Sequence, residues 1–159
     1  MTALYGMCNV PSGVWIDEEG RIVRSPEVAY SKGKQLGSIK MGSDLYADGL
    51  RNWVLRGPKS PYVMQREDLL RKLAPKNPKR PLADAHFKLA VHLYQKNKLS
   101  LASKHWRQAQ LLAPNNWNYH RQEWVFDPAT QNTKWKAKYD QLGEQPYYEP
   151  ADLPQLDEE

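Results

Sequence analysis

The sequence predicts an α+β protein that is mostly helical. Three observations carry that reading. Val14–Ile16 and Arg21–Arg24 are short β-prone runs joined by an acidic turn that ends in Gly20. From Asp44 onward, apolar residues recur at helical spacing. Across Ala83–Pro114, small residues recur at intervals that suit two helices crossing closely.

The hairpin comes first. Asp17, Glu18 and Glu19 need solvent, and Gly20 accepts the positive φ of a tight turn. Two strands alone are marginal in water, so they need a sheet to join or a helix to cover them. Residues 25–43 contain Ser25-Pro26, three glycines and scattered lysines, and read as a loop or a weak helix. Leu45, Tyr46, Leu50, Trp53 and Val54 then share helical spacing up to Gly57-Pro58. Ser60 is expected to cap a further helix, with Pro61 at its first position, running to about Leu73. The stretch from Ala74 to Asp84 holds three prolines and three basic residues and reads as a linker.

Beyond it, Leu89, Ala90, Leu93, Ala102, Trp106, Ala109 and Pro114 form one series, with a polar turn at Lys96–Ser100 between its halves. Asn97, within that turn, is a residue type that tolerates left-handed geometry. Asn115–Phe126 and Thr133–Glu144 are expected to be a third and a fourth helix, the last ended by Gly143. The remainder is proline-rich and extended, with Tyr147 and Tyr148 expected to pack back on the body. The domain reading is therefore residues 1–43, a connector over 44–81, a helical pair with caps over 82–145, and an extended acidic tail over 146–159.

Composition narrows the function classes. Apolar residues are 40% and charged residues 26%, which is globular. Residues 51–81 carry nine Lys and Arg against Glu67 and Asp68, while the last sixteen residues carry six acids and no base. These bases are scattered over helix faces and turns without an aromatic platform, so the reading excludes a nucleic-acid partner and takes them as solvated surface. The acidic end reads as a frayed terminus. No apolar run approaches the roughly 18 residues of a membrane helix, and no signal peptide precedes the first strand. A cytoplasmic protein with no membrane partner is the expectation.

The chain has one cysteine, Cys8, so it forms no internal disulfide. Cys8 reads either as a thiol of functional interest or as a small buried apolar residue near a strand end. His86, His92, His105 and His120 make no pair spaced three or four apart, so no metal is expected and no cofactor is called for. Asp17, Glu18 and Glu19 read as solvated turn residues rather than catalytic carboxylates. There is no glycine-rich phosphate loop and no nucleophile elbow.

Three resemblances follow from these residues. The segment from Tyr5-Gly6 through Val10-Pro11-Ser12, followed by a strand, Asp17–Arg21 and another strand, resembles the second half of a thioredoxin-like redoxin. The helical pair resembles one tetratricopeptide repeat, although His86 stands where that repeat usually has a bulky aromatic. Tyr46–Gly57, that pair, Asn116–Trp124 and Pro146–Pro150 together resemble the C-terminal extension of a bacterial group of redoxin-domain proteins.

The first resemblance implies thiol–disulfide exchange or peroxide reduction, a cis bond before Pro11, and a peptide-docking position at Val10 and Pro11. It also implies that the half carrying the catalytic cysteine is missing, since only four residues precede Tyr5. The chain would then be a fragment, a truncated product or a decayed relative, inactive alone. A lost N-terminus could have carried a targeting signal. The alternative is a non-enzymatic interaction module that takes a protein or peptide partner on the hairpin edge or on the concave face of the helices.

Overall fold

The computed structural model describes residues 4–30, 32–37, 39–41, 44–148 and 151–154. The acids at Asp157, Glu158 and Glu159 lie outside these. The chain divides into two compact units, Leu4–Ala74 with the segment after Pro146, and Pro75–Gln145. Sequence expectation had divided it after residues 43, 81 and 145. No helix among the described residues is long and apolar enough to cross a membrane.

In the first unit, β1 (Ser12–Ile16) and β2 (Ile22–Val28) form an antiparallel hairpin. Gly20 closes its turn at φ +79°. Asp17 is more than a solvated turn acid. Its carboxylate accepts from the Arg21 backbone at 2.8 Å, the Glu19 backbone at 3.1 Å and the Arg21 guanidinium at 2.8 Å. Burial alone would raise this carboxyl, but these donors outweigh it and hold it below its ordinary range.

β2 runs four residues past the expected end at Arg24. Ser25-Pro26 looked like a loop signal because proline cannot donate to a ladder. The register explains how it fits. Gly13 faces Glu27 and Trp15 faces Arg24, so the ladder slips by one residue where Pro26 lies. A bulge is a place in a sheet where a missing N–H costs little. Part of the expected loop is also a second hairpin, β3 (Lys34–Leu36) with β4 (Ile39–Met41).

α1 (Asp44–Arg56) ends at Gly57-Pro58 as expected, followed by one 3₁₀ turn over Gly57–Lys59. Its buried positions are Tyr46 and Gly49, whereas Val54 is 73% exposed. A five-residue apolar set was wider than the face that packs. Gly49 is needed for space: a Cβ there would lie 2.8 Å from Cδ1 of Tyr62.

Ser60 is not the N-cap of a helix; it closes the 3₁₀ turn instead. Its hydroxyl donates to Asn52 Oδ1 at 2.9 Å and accepts from the Tyr62 backbone at 3.3 Å, which shapes a turn. α2 is the shorter Arg66–Leu73. The core of this unit is Trp15, Tyr46 and Tyr62, with Val23, Ala29, Trp53 and Leu153 against it. The Trp15 indole donates to the Tyr46 hydroxyl at 3.0 Å and stacks on Trp53 at 5.2 Å between centroids. Polar edges thus find partners while the rings fill the core.

Beside Trp15 lies a buried ion pair. Arg24 and Glu27 have side chains only 2% and 7% exposed. The Arg24 guanidinium also donates to the Tyr62 carbonyl at 2.8 Å and to the Asp152 carbonyl, and it lies over the Trp15 ring. The segment at Asp152 and Leu153 is therefore anchored, not a frayed end.

In the second unit, α3 (Arg80–Gln95) begins three residues before the expected start at Ala83, because Pro81 is accommodated in its first turn. α4 (Leu99–Leu112) runs back antiparallel against it. Asn97 turns the chain at φ +57°, and the Lys98 amide bonds to the Leu93 carbonyl at 2.9 Å to close the helix end. Ala83, Ala90, Ala102 and Ala109 are each fully buried, which lets the backbones approach. Leu89, placed in the same series by sequence, is 42% exposed.

α5 (Trp117–Val125) starts at Asn116, whose side chain accepts from the Asn118 amide at 3.2 Å. α6 (Gln131–Asp140) follows, with Gly143 beyond it at φ +57°. Phe87 stacks on Tyr119 at 4.8 Å, and Tyr94 stacks on Phe126 at 3.8 Å. Flanking helices and aromatic rings thus cover the pair.

Candidate functional site

The sequence singled out Cys8, Val10 and Pro11. All three lie on the strand entry of the first unit. Cys8 is exposed, not the buried apolar residue that its neighbourhood suggested, and its thiol donates to the Gly6 carbonyl at 3.4 Å. The Val10–Pro11 peptide bond is cis. Asn9 organises the segment. Its Oδ1 accepts from the Val10 amide at 2.9 Å, and its own carbonyl accepts from the Ser12 hydroxyl at 2.7 Å.

Val10 is 41% exposed, but both of its backbone groups are engaged within the chain. The Tyr148 hydroxyl donates to the Val10 carbonyl at 3.0 Å, and Asn9 Nδ2 donates to the Tyr147 carbonyl at 3.0 Å. Tyr148 also meets Tyr30 edge-on at 6.0 Å. The two tyrosines therefore do pack back, onto the position that the resemblance reserves for a peptide. A ligand strand here would have to displace them.

A groove of about 310 Å³ lies beside Arg24, lined by Val63, Met64, Gln65, Arg71 and Lys72 among others. Its bases are already matched. Arg71 pairs with Asp68 at 2.6 Å and Lys72 with Asp152 at 2.8 Å, which also lowers the Asp152 carboxyl below its ordinary range. Charge balance leaves the groove no strong pull on an anion.

The helical unit contains two arrangements that spacing did not foresee. The Pro114 carbonyl accepts from the Lys138 ammonium at 2.9 Å and from His120 Nε2 at 3.2 Å, with Lys138 over the Trp117 ring at 4.9 Å. Burial, together with the Lys138 charge, pushes His120 down to about 4. The second arrangement is His86 and His105, whose Nδ1 atoms lie 2.8 Å apart. They are 19 residues apart in sequence, so a search for neighbours on one helix passes over them. An available signal was the antiparallel pairing itself: if Ala90 packs on Ala102 across a short turn, His86 falls beside His105.

Among the described residues no group of three or more His, Cys, Asp or Glu could hold a metal ion. The fold is α+β, mostly helical, with small antiparallel hairpins. No family model matches the chain, and neither does any curated protein or solved structure compared with it.

Proposed function

We propose that the chain is the C-terminal part of a thioredoxin-like redoxin protein, carrying a tetratricopeptide-like helical extension. On this reading residues 1–43 complete a thioredoxin-like sheet, and the helical residues 82–145 are a rigid appendage. The chain alone supplies no disulfide exchange by two thiols, because it has one cysteine. The observation that carries the reading is the open edge of β1, which among the described residues pairs with β2 alone. A hairpin of this kind gains most from a further strand.

Intact mass of the protein from its native source tests this. A mass well above 18.4 kDa, with a cysteine-bearing segment upstream and thiol–disulfide activity in the full chain, supports it. A native mass of 18.4 kDa overturns it.

A second reading, an interaction module without catalysis, is favoured by the exposed leucines of α3, Leu82 at 54% and Leu89 at 42%. They stand two turns apart, about 100° round the helix from the buried Ala83 and Ala90, so the apolar surface of this helix extends beyond its buried stripe. Charging that side with Leu82→Glu and Leu89→Glu would abolish binding of a native partner while leaving the helical circular dichroism intact. Unchanged binding would refute it.

A further inference from the structure

We infer that the first unit carries a docking site for an extended peptide of acidic–leucine–proline sequence, occupied here by the chain's own Asp152, Leu153 and Pro154. The site uses no thiol and stands apart from the redoxin reading. Its centre is the grip on one residue. Glu27 Oε2 accepts from the Asp152 amide at 3.3 Å, and Arg24 Nη2 donates to the Asp152 carbonyl. Those two side-chain atoms are themselves 3.2 Å apart. The buried ion pair thus holds both backbone groups of a single residue, as a neighbouring strand does in an antiparallel ladder.

The clamp is aimed by the first unit itself. Arg24 and Glu27 both stand on β2. The Arg24 guanidinium donates to the Tyr62 carbonyl at 2.8 Å and lies over the Trp15 ring at 5.5 Å. A guanidinium fixed in this way is preorganised for a carbonyl brought to it.

Backbone contacts give affinity to any extended segment, and side-chain contacts choose the sequence. Three successive positions do so here. The Asp152 carboxylate pairs with Lys72 of α2 at 2.8 Å. Leu153 packs on the cluster of Trp15, Tyr46 and Tyr62. Pro154 lines the groove of about 310 Å³ together with Pro61, Val63 and Met64, so the segment lies in a cleft and not on a flat face.

The segment is held as a ligand is held. Residues 151–154 join no strand or helix, and Asp152 comes from 125 residues beyond Glu27. None of these contacts depends on the covalent chain between them. Another protein presenting the same three residues in extended form would meet the same groups, in competition with the chain's own segment.

The probe is a synthetic peptide of residues 149–157, titrated into the full chain and followed by NMR. Leu153→Glu in the chain places a charge against an apolar cluster and should release the segment. That variant should bind the peptide with a dissociation constant of about 0.1 mM, about tenfold more tightly than the parent, whose tethered segment competes at millimolar effective concentration. The shifts should fall on Val23, Tyr62 and the Trp15 indole. A peptide carrying Leu153→Ala should bind about tenfold more weakly. Equal affinity for parent and variant would overturn the assignment. So would unmoved signals in a Leu153→Glu chain whose β1 and β2 remain folded.

A charge exchange decides without that variant. Lys72 is 33% exposed at its side chain, so Lys72→Glu leaves the core untouched. The Lys72→Glu chain should prefer a peptide carrying Asp152→Lys over the parental peptide by about fivefold, and the parent chain should show the reverse. The tethered segment competes equally with both peptides, so the ratio is unaffected by it. An unchanged preference would refute the site.

Discussion

Glu27→Gln isolates what the buried ion pair does for the first unit. The variant keeps the shape of Glu27 and removes its charge, leaving Arg24 at 2% side-chain exposure without an anionic partner. Breaking one side of a buried pair costs about 3–5 kcal/mol. Arg24 retains the Tyr62 and Asp152 carbonyls and the Trp15 ring, which places the loss near the low end, about 3 kcal/mol. With a urea slope of about 1.5 kcal/mol/M, the midpoint falls by roughly 2 M. Because the chain has two compact units, the readout should be local, as amide exchange of β1 and β2 against urea. The companion double variant, Arg24→Met with Glu27→Leu, swaps both charges for apolar groups and should lie within about 1 kcal/mol of the parent. The reasoning fails if Glu27→Gln shifts stability by less than about 1 kcal/mol, or if the double variant loses the sum of the two single changes.

Three further outcomes are expected. Gly49→Ala should destabilise by about 1–2 kcal/mol despite better helix propensity, because the new methyl meets the buried Tyr62 ring at 2.8 Å; a thermal midpoint equal to the parent's would contradict this. Ala102→Leu, at a fully buried crossing of α3 and α4, should cost about 3 kcal/mol in a circular-dichroism melt, and a neutral result would mean that the helices do not approach closely there. His120 has its folded value depressed to about 4 from 6.5, so its contribution is fully present above pH 6.5 and is lost as pH falls toward 4. Discounted for partial exposure, that loss is about 2 kcal/mol, and His120→Gln should flatten the pH–stability curve across this window.

Local signals were legible where they depend on short-range chemistry. Gly20 and Asn97 both adopt the positive φ that their residue types allow, and Gly57-Pro58 ends α1. Helix ends were less legible. Ser60-Pro61 has the composition of a helix start, yet its hydroxyl is claimed by Asn52 and Tyr62, and the helix waits until Arg66. Proline misled in both directions. Pro26 lies inside a strand because a register slip removes the need for its N–H, and Pro81 lies inside a helix because first-turn amides need no partner within it. The candidate site was half legible: Val10 and Pro11 were singled out, but only the fold shows Tyr147 and Tyr148 already bonded there.

By itself the sequence determined the class of protein, mostly helical with a leading hairpin, because hydrophobic period and turn chemistry act over a few residues. It also determined that one thiol is all the chain supplies. Tertiary structure decided which of several apolar residues on each helix are buried, since that depends on the partner surface and not on spacing. It decided that Arg24 and Glu27, polar residues in a strand, would be the buried pair beside Trp15. And it decided that His86 and His105 would meet, because contact between two antiparallel helices is set by where their alanines allow the backbones to cross.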